Sequence, residues 1–157
     1  MKILIALDDS PYSKDVLDDV VKRAWPDNAQ FKLLTILEPF CVSGEEDDDA
    51  ELLEASGVVH RKRWQLADKL CEQAKKKLTA ALPNAEINFE IKEGSARAEI
   101  ISTAVEWSAD RIIMGVHGQA VCPHNLLGSV SQGVAMHAPC TVEIVRSKVR
   151  HKVPIKV

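Results

Sequence analysis

The chain opens with Lys2-Ile3-Leu4-Ile5-Ala6-Leu7, an apolar run without alternation, closed by Asp8 and Asp9. A strand with one wet face alternates apolar and polar residues. A run that does not alternate needs cover on both faces, as in the interior of a parallel sheet. Ser10-Pro11 then supplies a helix start, serine as N-cap and proline at the first helical position. Leu17, Val20, Val21 and Ala24 recur at i, i+3, i+4 and i+7, one apolar helix face, with Pro26 expected to stop it. Strand, acidic turn, helix is one βα unit.

The unit repeats. Residues 31–37 form a second buried-strand pattern, ended by Glu38-Pro39. A mobile loop is expected at about 41–56, because Glu45 to Asp49 is a self-repelling acidic run without apolar period. The run also lacks the alternating ligands and central glycine of a calcium loop. Leu66, Leu70, Ala74 and Leu78 step by four, with Ala67, Cys71 and Ala81 beside them, and predict a long helix over roughly 58–82. Residues 86–93 alternate Ile87, Phe89 and Ile91 with polar residues, so this strand belongs at or near a sheet edge. Gly94-Ser95 turns the chain, Ser95 as N-cap, into a helix with Ile100, Ile101, Ala104 and Val105 on its apolar face, ending near Ser108. A strand at 111–114, a helix to about His137 and a strand at 140–145 complete β-α-β-α-β-α-β-α-β. Strict alternation of this kind predicts an α/β fold, an open five-stranded parallel sheet with helices on both faces. Its ligands are expected beyond the carboxyl ends of the strands, where the strand order reverses.

The fourth strand empties into Gly115-Val116-His117-Gly118, and Gly128-Ser129 opens the helix that follows. Glycine has no Cβ, so backbone N–H groups can turn toward an anion, and the helix adds unpaired N–H groups and the positive end of its dipole. The spacing is neither G-x-x-x-x-G-K-[ST] nor G-x-G-x-x-G, and no lysine lies between Gly115 and Ser129. At the end of the first strand, Asp8 suits ribose hydroxyls or an adenine amine, and Asp8 or Asp9 suits Mg²⁺ held directly or through water. Asp9 equally suits a role confined to the helix start. His117 is either a loop hydrogen-bonder or a phosphate or ribose contact. Cys122 and His124 offer two soft ligands, too few for a zinc site.

These motifs resemble the universal stress protein family. G-x2-G-x9-G-[ST], running on through Leu127-Gly128-Ser129-Val130-Ser131 and ending with His137-Ala138-Pro139-Cys140, is similar to its ATP-binding signature. The opening through Asp8-Asp9-Ser10 resembles its first strand and acidic turn, and Asp110 to Gly115 its fourth strand. The resemblance covers about 2–146. It implies a Rossmann-like fold of the adenine nucleotide alpha hydrolase-like kind, with strand order 3-2-1-4-5 and the crevice between the first and fourth strands. It implies nucleotide contacts from Asp8, with Ala6 and Leu7 on the same edge, and from Ile36 at the adenine position of the second strand. It further implies phosphate and ribose contacts along Met114, Gly115, His117, Gly118, Gly128, Ser129 and Val130. The ligand is then ATP (or AMP), with or without Mg²⁺. The resemblance also implies a homodimer through Thr141 to Val145, a candidate edge with unpaired backbone groups. The chain divides into a nucleotide-binding domain over 1–146 and a basic tail over 147–157.

Composition narrows the partners. At 157 residues and a net charge of -3, the chain reads as one domain with no global attraction to nucleic acid or anionic membrane. The basic clusters at His60 to Arg63 and Lys75 to Lys77 are offset by Asp68 and Glu72 and lack an aromatic platform, Trp64 reading as packing. No apolar run approaches the roughly 20 residues of a membrane span, and the N-terminus lacks a signal peptide's pattern. Four cysteines without C-x-x-C spacing read as free thiols, so a cytoplasmic location is expected.

Phosphoryl transfer needs charge compensation at the γ-phosphate and a positioned nucleophile. The loop has no lysine, no arginine finger and no Glu or Gln placed to orient water. Backbone amides bind ground and transition state about equally. The sequence therefore predicts an ATP-binding regulatory or stress-response module with slow hydrolysis at most. A weak ATPase or nucleotidyl-transferring enzyme and a nucleotide-independent dimeric interaction protein remain as alternatives. A phosphoacceptor receiver domain would leave the glycine loop unexplained.

Overall fold

A computed structural model of the chain describes residues 1–39, 50–118 and 127–146. The acidic run at 45–49, Cys122 with His124, and the tail at 147–157 lie outside the described residues. The elements alternate: β1 (Lys2–Ala6), α1 (Pro11–Val20), β2 (Gln30–Leu37), α2 (Ala50–Ala81), β3 (Glu86–Glu93), α3 (Ala96–Glu106), β4 (Arg111–Gly115), α4 (Ser129–His137) and β5 (Thr141–Val145). The strands form one sheet of order β3-β2-β1-β4-β5. Every neighbouring pair is parallel, with Ile3 beside Phe31 and Arg111. The architecture and strand order expected from the sequence are those observed.

The unalternated opening run explains the centre of the molecule. Ile3, Leu4 and Ile5 are fully buried because successive side chains enter different cores. Ile3 and Ile5 pack with Val16, Val20, Phe31 and Leu78 from α1, β2 and α2. Leu4 packs on the opposite face with Leu34, Ile100, Ile112 and Val134 from β2, α3, β4 and α4. Each buried side chain of this size contributes roughly 1.5–3 kcal/mol relative to exposure. The edge expected at 86–93 is β3, where Ile87 is buried while Lys32 of β2 reaches Glu90 across the strands at 3.3 Å.

Two element boundaries differ from the sequence reading. α1 stops at Val20, although Val21 and Ala24 continue its apolar period. The Trp25 indole N–H donates to the Val20 carbonyl at 2.8 Å, and Arg23 bridges Asp19 of the helix and Glu143 of β5, so local and tertiary side-chain contacts together take over before Pro26. α2 begins at Ala50, so residues 50–56 are helical where a loop was expected. The buried stripe of α2 is Ala67, Cys71, Ala74 and Leu78, whereas Leu66 is 58% exposed. These four all lie on the predicted face, of which Leu66 and Ala81 are exposed.

α3 ends with Ser108 at φ 53°, the left-handed region. Ser108 N–H donates to Val105 O at 3.0 Å and Ala109 N–H to Ala104 O at 2.8 Å, the paired bonds of a Schellman stop. On β5, the Glu143 carboxylate accepts from Arg23 at 2.6 Å and from Arg111 at 2.9 Å. No helix among the described residues is long and apolar enough to cross a membrane.

Candidate functional site

β1 and β4 are neighbours, and their carboxyl ends carry the two loops singled out above. Leu7 N–H still donates to Leu34 O at 2.9 Å, so the chain leaves the sheet only at Asp8. Asp8 is then held by its own turn. Its Oδ1 accepts from the Ser10 N–H at 3.1 Å, from Ser13 Oγ at 2.8 Å and from the Ser10 hydroxyl. Its N–H donates to Ser13 Oγ at 2.8 Å. Ser10 therefore occupies the N-cap position of α1 without a side-chain cap bond, its hydroxyl being turned to Asp8. These bonds all fall on Oδ1. Oδ2 faces the glycine loop, 2.8 Å from where a Cβ on Gly118 would stand.

The glycine loop approaches α1 as closely. A Cβ on Gly115 would lie 2.8 Å from Tyr12 Cβ. The His117 ring stands edge-on to Tyr12, centroids 5.5 Å apart, and its Nδ1 is buried with no hydrogen-bond partner among the described residues. Across residues 119–126, which lie outside the described set, the chain returns as the start of α4. Gly128 N–H donates to Val116 O at 2.9 Å, and Ser131 Oγ donates to Val116 O at 2.9 Å and to Gly128 O at 3.0 Å. These bonds lock the two halves of the glycine segment together. Gly128 is the N-cap of α4 and has no side chain to cap it, so the first-turn amides of α4 lack a capping oxygen. Ser129, the first residue of the helix, is exposed.

The two loops and the strand ends enclose a cleft of about 490 Å³. Ala6, Leu7 and Asp8 border it from β1, Ile36 from β2, and Met114 with Gly115 from β4. His117, Gly118, Gly128, Ser129 and Val130 complete the border, and Asp9 lies on it too. The residues named from the sequence as nucleotide contacts all border this cavity. Missed were residues of its outer wall. Arg63, Leu66 and Leu70 come from α2, Glu38 from the end of β2, and Ser131 from α4. Periodicity placed Leu66 and Leu70 on a core stripe and Arg63 on a solvated face. The signal available was that Glu38-Pro39 ends β2 at the rim where α2 must return.

The wall is tied down by polar contacts. Arg63 Nη2 donates to Glu38 O at 2.7 Å, and Glu38 Oε1 accepts from Ala96 N–H, the first amide of α3, at 3.3 Å. Behind the cleft, Cys71 lies 3.3 Å from Thr35 Oγ1, and burial pushes its thiol up. Among the described residues no three His, Cys, Asp or Glu side chains gather as a metal site.

Residues 1–146 match the model of the Universal stress protein family. A protein of Staphylococcus saprophyticus assigned to the same family is 29% identical over 148 residues, 93% of this chain and 83% of that one. A universal stress protein of Methanothermobacter thermautotrophicus is 40% identical over 65 residues, 41% of this chain and 44% of that one. Among solved structures, the hypothetical protein MJ0577 superposes with TM-score 0.79 at 25% identity, covering 94% of this chain and 96% of its own. A universal stress protein family protein of Arabidopsis thaliana, solved with AMP bound, superposes with TM-score 0.62 at 16% identity, covering 96% and 94%.

Proposed function

The chain belongs to the universal stress protein family, and from that premise we propose that it is an ATP-binding regulatory module. The reading rests on one observation. Asp8 Oδ2 stands 2.8 Å from where a Cβ on Gly118 would be, at the mouth of a cleft whose far rim is a helix start with no side-chain cap. In this arrangement the amides of the glycine loop and of α4 receive the phosphates, and Asp8 receives the ribose. The AMP bound to the Arabidopsis relative supports an adenine ligand for this cleft.

The donor set also fits a magnesium ion carried in by the phosphates. Mg²⁺ binds through one or two carboxylates together with substrate oxygens, and Asp8 keeps Oδ2 outside its turn. The ion would neutralise phosphate charge; holding and orienting the nucleotide falls to the protein's own amides. Among the described residues no cationic side chain borders the glycine end, and on this reading the cleft binds ATP and turns it over slowly at most. Edge strand β5 pairs two copies into a dimer.

Calorimetric titration of nucleotide-stripped protein with ATP, with and without Mg²⁺, tests this reading. Saturable micromolar binding is the expected result. An absence of heat up to millimolar ATP would reduce the glycine loop to scaffold.

A further inference from the structure

The glycine loop and Asp8 account for one end of the cleft. The other end lies under α2, and its polar wall is built around Arg63. The guanidinium has five N–H donors in a planar fork. One nitrogen is spent on Glu38 O at 2.7 Å, and no acceptor among the described residues takes the others. Glu38 is itself committed, its Oε1 receiving the Ala96 amide at 3.3 Å. The contact with Glu38 O fixes the guanidinium at the carboxyl end of β2, one strand away from the Asp8 turn. Beside it stand Leu66, 58% exposed although apolar, and the half-buried Leu70. An apolar side chain that open to water, bordering a cavity next to an anchored arginine, is the composition of a base pocket. It offers a flat apolar contact with a donor at its edge.

We infer that Arg63 is the base-recognition residue of this cleft, donating to a ring nitrogen of the purine while Leu66 and Leu70 cover its face. The inference rests on the nucleotide reading above and adds a residue to it. A guanidinium cannot accept a hydrogen bond, so the base edge turned toward it must present acceptors, which purines do at their ring nitrogens. This contact involves no phosphate. Its contribution to affinity is therefore the same for ATP, AMP and adenosine, whereas an arginine acting through charge alone would favour the ligand with most phosphates.

The experiment compares wild type, Arg63→Ala and Arg63→Gln by titration with ATP, AMP, adenosine and inorganic tripolyphosphate. Alanine suits a helix interior, and circular dichroism with thermal unfolding checks that both variants fold. Arg63→Ala is expected to weaken all three adenine ligands by a common factor of about ten, within the range of one hydrogen bond to a charged group. Tripolyphosphate binding stays unchanged. Arg63→Gln, neutral but still a donor, recovers part of the loss. A loss that grows with phosphate number, or undiminished binding of ATP and adenosine by Arg63→Ala, overturns the inference alone. Failure of the wild type to bind any adenine ligand overturns the nucleotide reading and this inference with it.

Discussion

Gly118 and Ser108 show opposite uses of a small side chain. At Gly118 the missing Cβ is a functional opening, since anything placed there meets Asp8 Oδ2 at 2.8 Å. Gly118→Val is expected to abolish ATP binding in calorimetry while the thermal unfolding midpoint stays near wild type, because Gly118 is exposed and packs against no core residue. Gly128→Val has the same effect on binding, but it also presses on Val116 O, 3.2 Å from the new Cβ, and lowers the midpoint further. Undiminished affinity in either variant would remove these glycines from the site. At Ser108 the reverse holds. A left-handed backbone at φ 53° is occupied by a residue with a Cβ, in a position that glycine favours at helix ends. Ser108→Gly should raise stability by about 0.5–1 kcal/mol in urea unfolding. A loss of stability there would mean that the serine hydroxyl has a role the described contacts do not show.

At the scale of the element, one acidic side chain ties β5 to both Arg23 and Arg111. Burial by itself would raise the Glu143 carboxyl, but the hydrogen bonds and charges of Arg23 and Arg111 outweigh it and hold it below the usual range. A carboxyl lowered in the folded state contributes stability that is fully present above its unfolded value, about 4.3, and lost as pH falls through the folded one. Glu143→Gln should therefore cost about 1 kcal/mol at neutral pH, with the gap closing as the pH falls below the ordinary carboxylate range. A gap independent of pH would assign the effect to packing. This bond also shows why the end of α1 could not be read from sequence. Arg23 leaves the helix for a partner 120 positions away, while Val21 and Ala24 still obey the local period. Continuous apolar runs did announce β1, β2 and β4, because a strand covered on both faces has few other compositions. The Gly118–Asp8 end of the site was legible for the same reason, since its residues sit where those runs stop. Arg63 and Leu66 were not, because helical period gives the phase of a face and not the height at which the helix passes the rim.

The whole molecule is an open sheet with two edges, and the edges differ. β3 spends its wet face on charge, with Lys92 near Glu90, Glu99 and Glu106. β5 carries Val142, Ile144 and Val145 only partly buried. Edge strands of the second kind join partners more readily than charged ones. Sedimentation equilibrium should accordingly give twice the chain mass at micromolar concentration. A monomer under those conditions would contradict the pairing proposed for β5 and leave the reading of the cleft unaffected.

The length of α2 has a consequence in time as well as in space. His60 and Trp64 reach Glu93, and Arg63 reaches the Glu38 carbonyl, so this part of the helix is level with the strand ends. The helix continues N-terminally from that level to Ala50, about 15 Å at 1.5 Å per residue, and Val58 and Val59 at its inner end are exposed. From Ala67 to Leu78 the same helix is held by buried side chains. Amide hydrogens should therefore exchange in two regimes along one continuous rod, within seconds to minutes before residue 60 and only with global opening after residue 67. A uniform rate along the rod would mean that something outside the sheet clamps its free end. If nucleotide slows the region around Arg63 before any other, the rod is also where occupancy of the cleft becomes visible from outside.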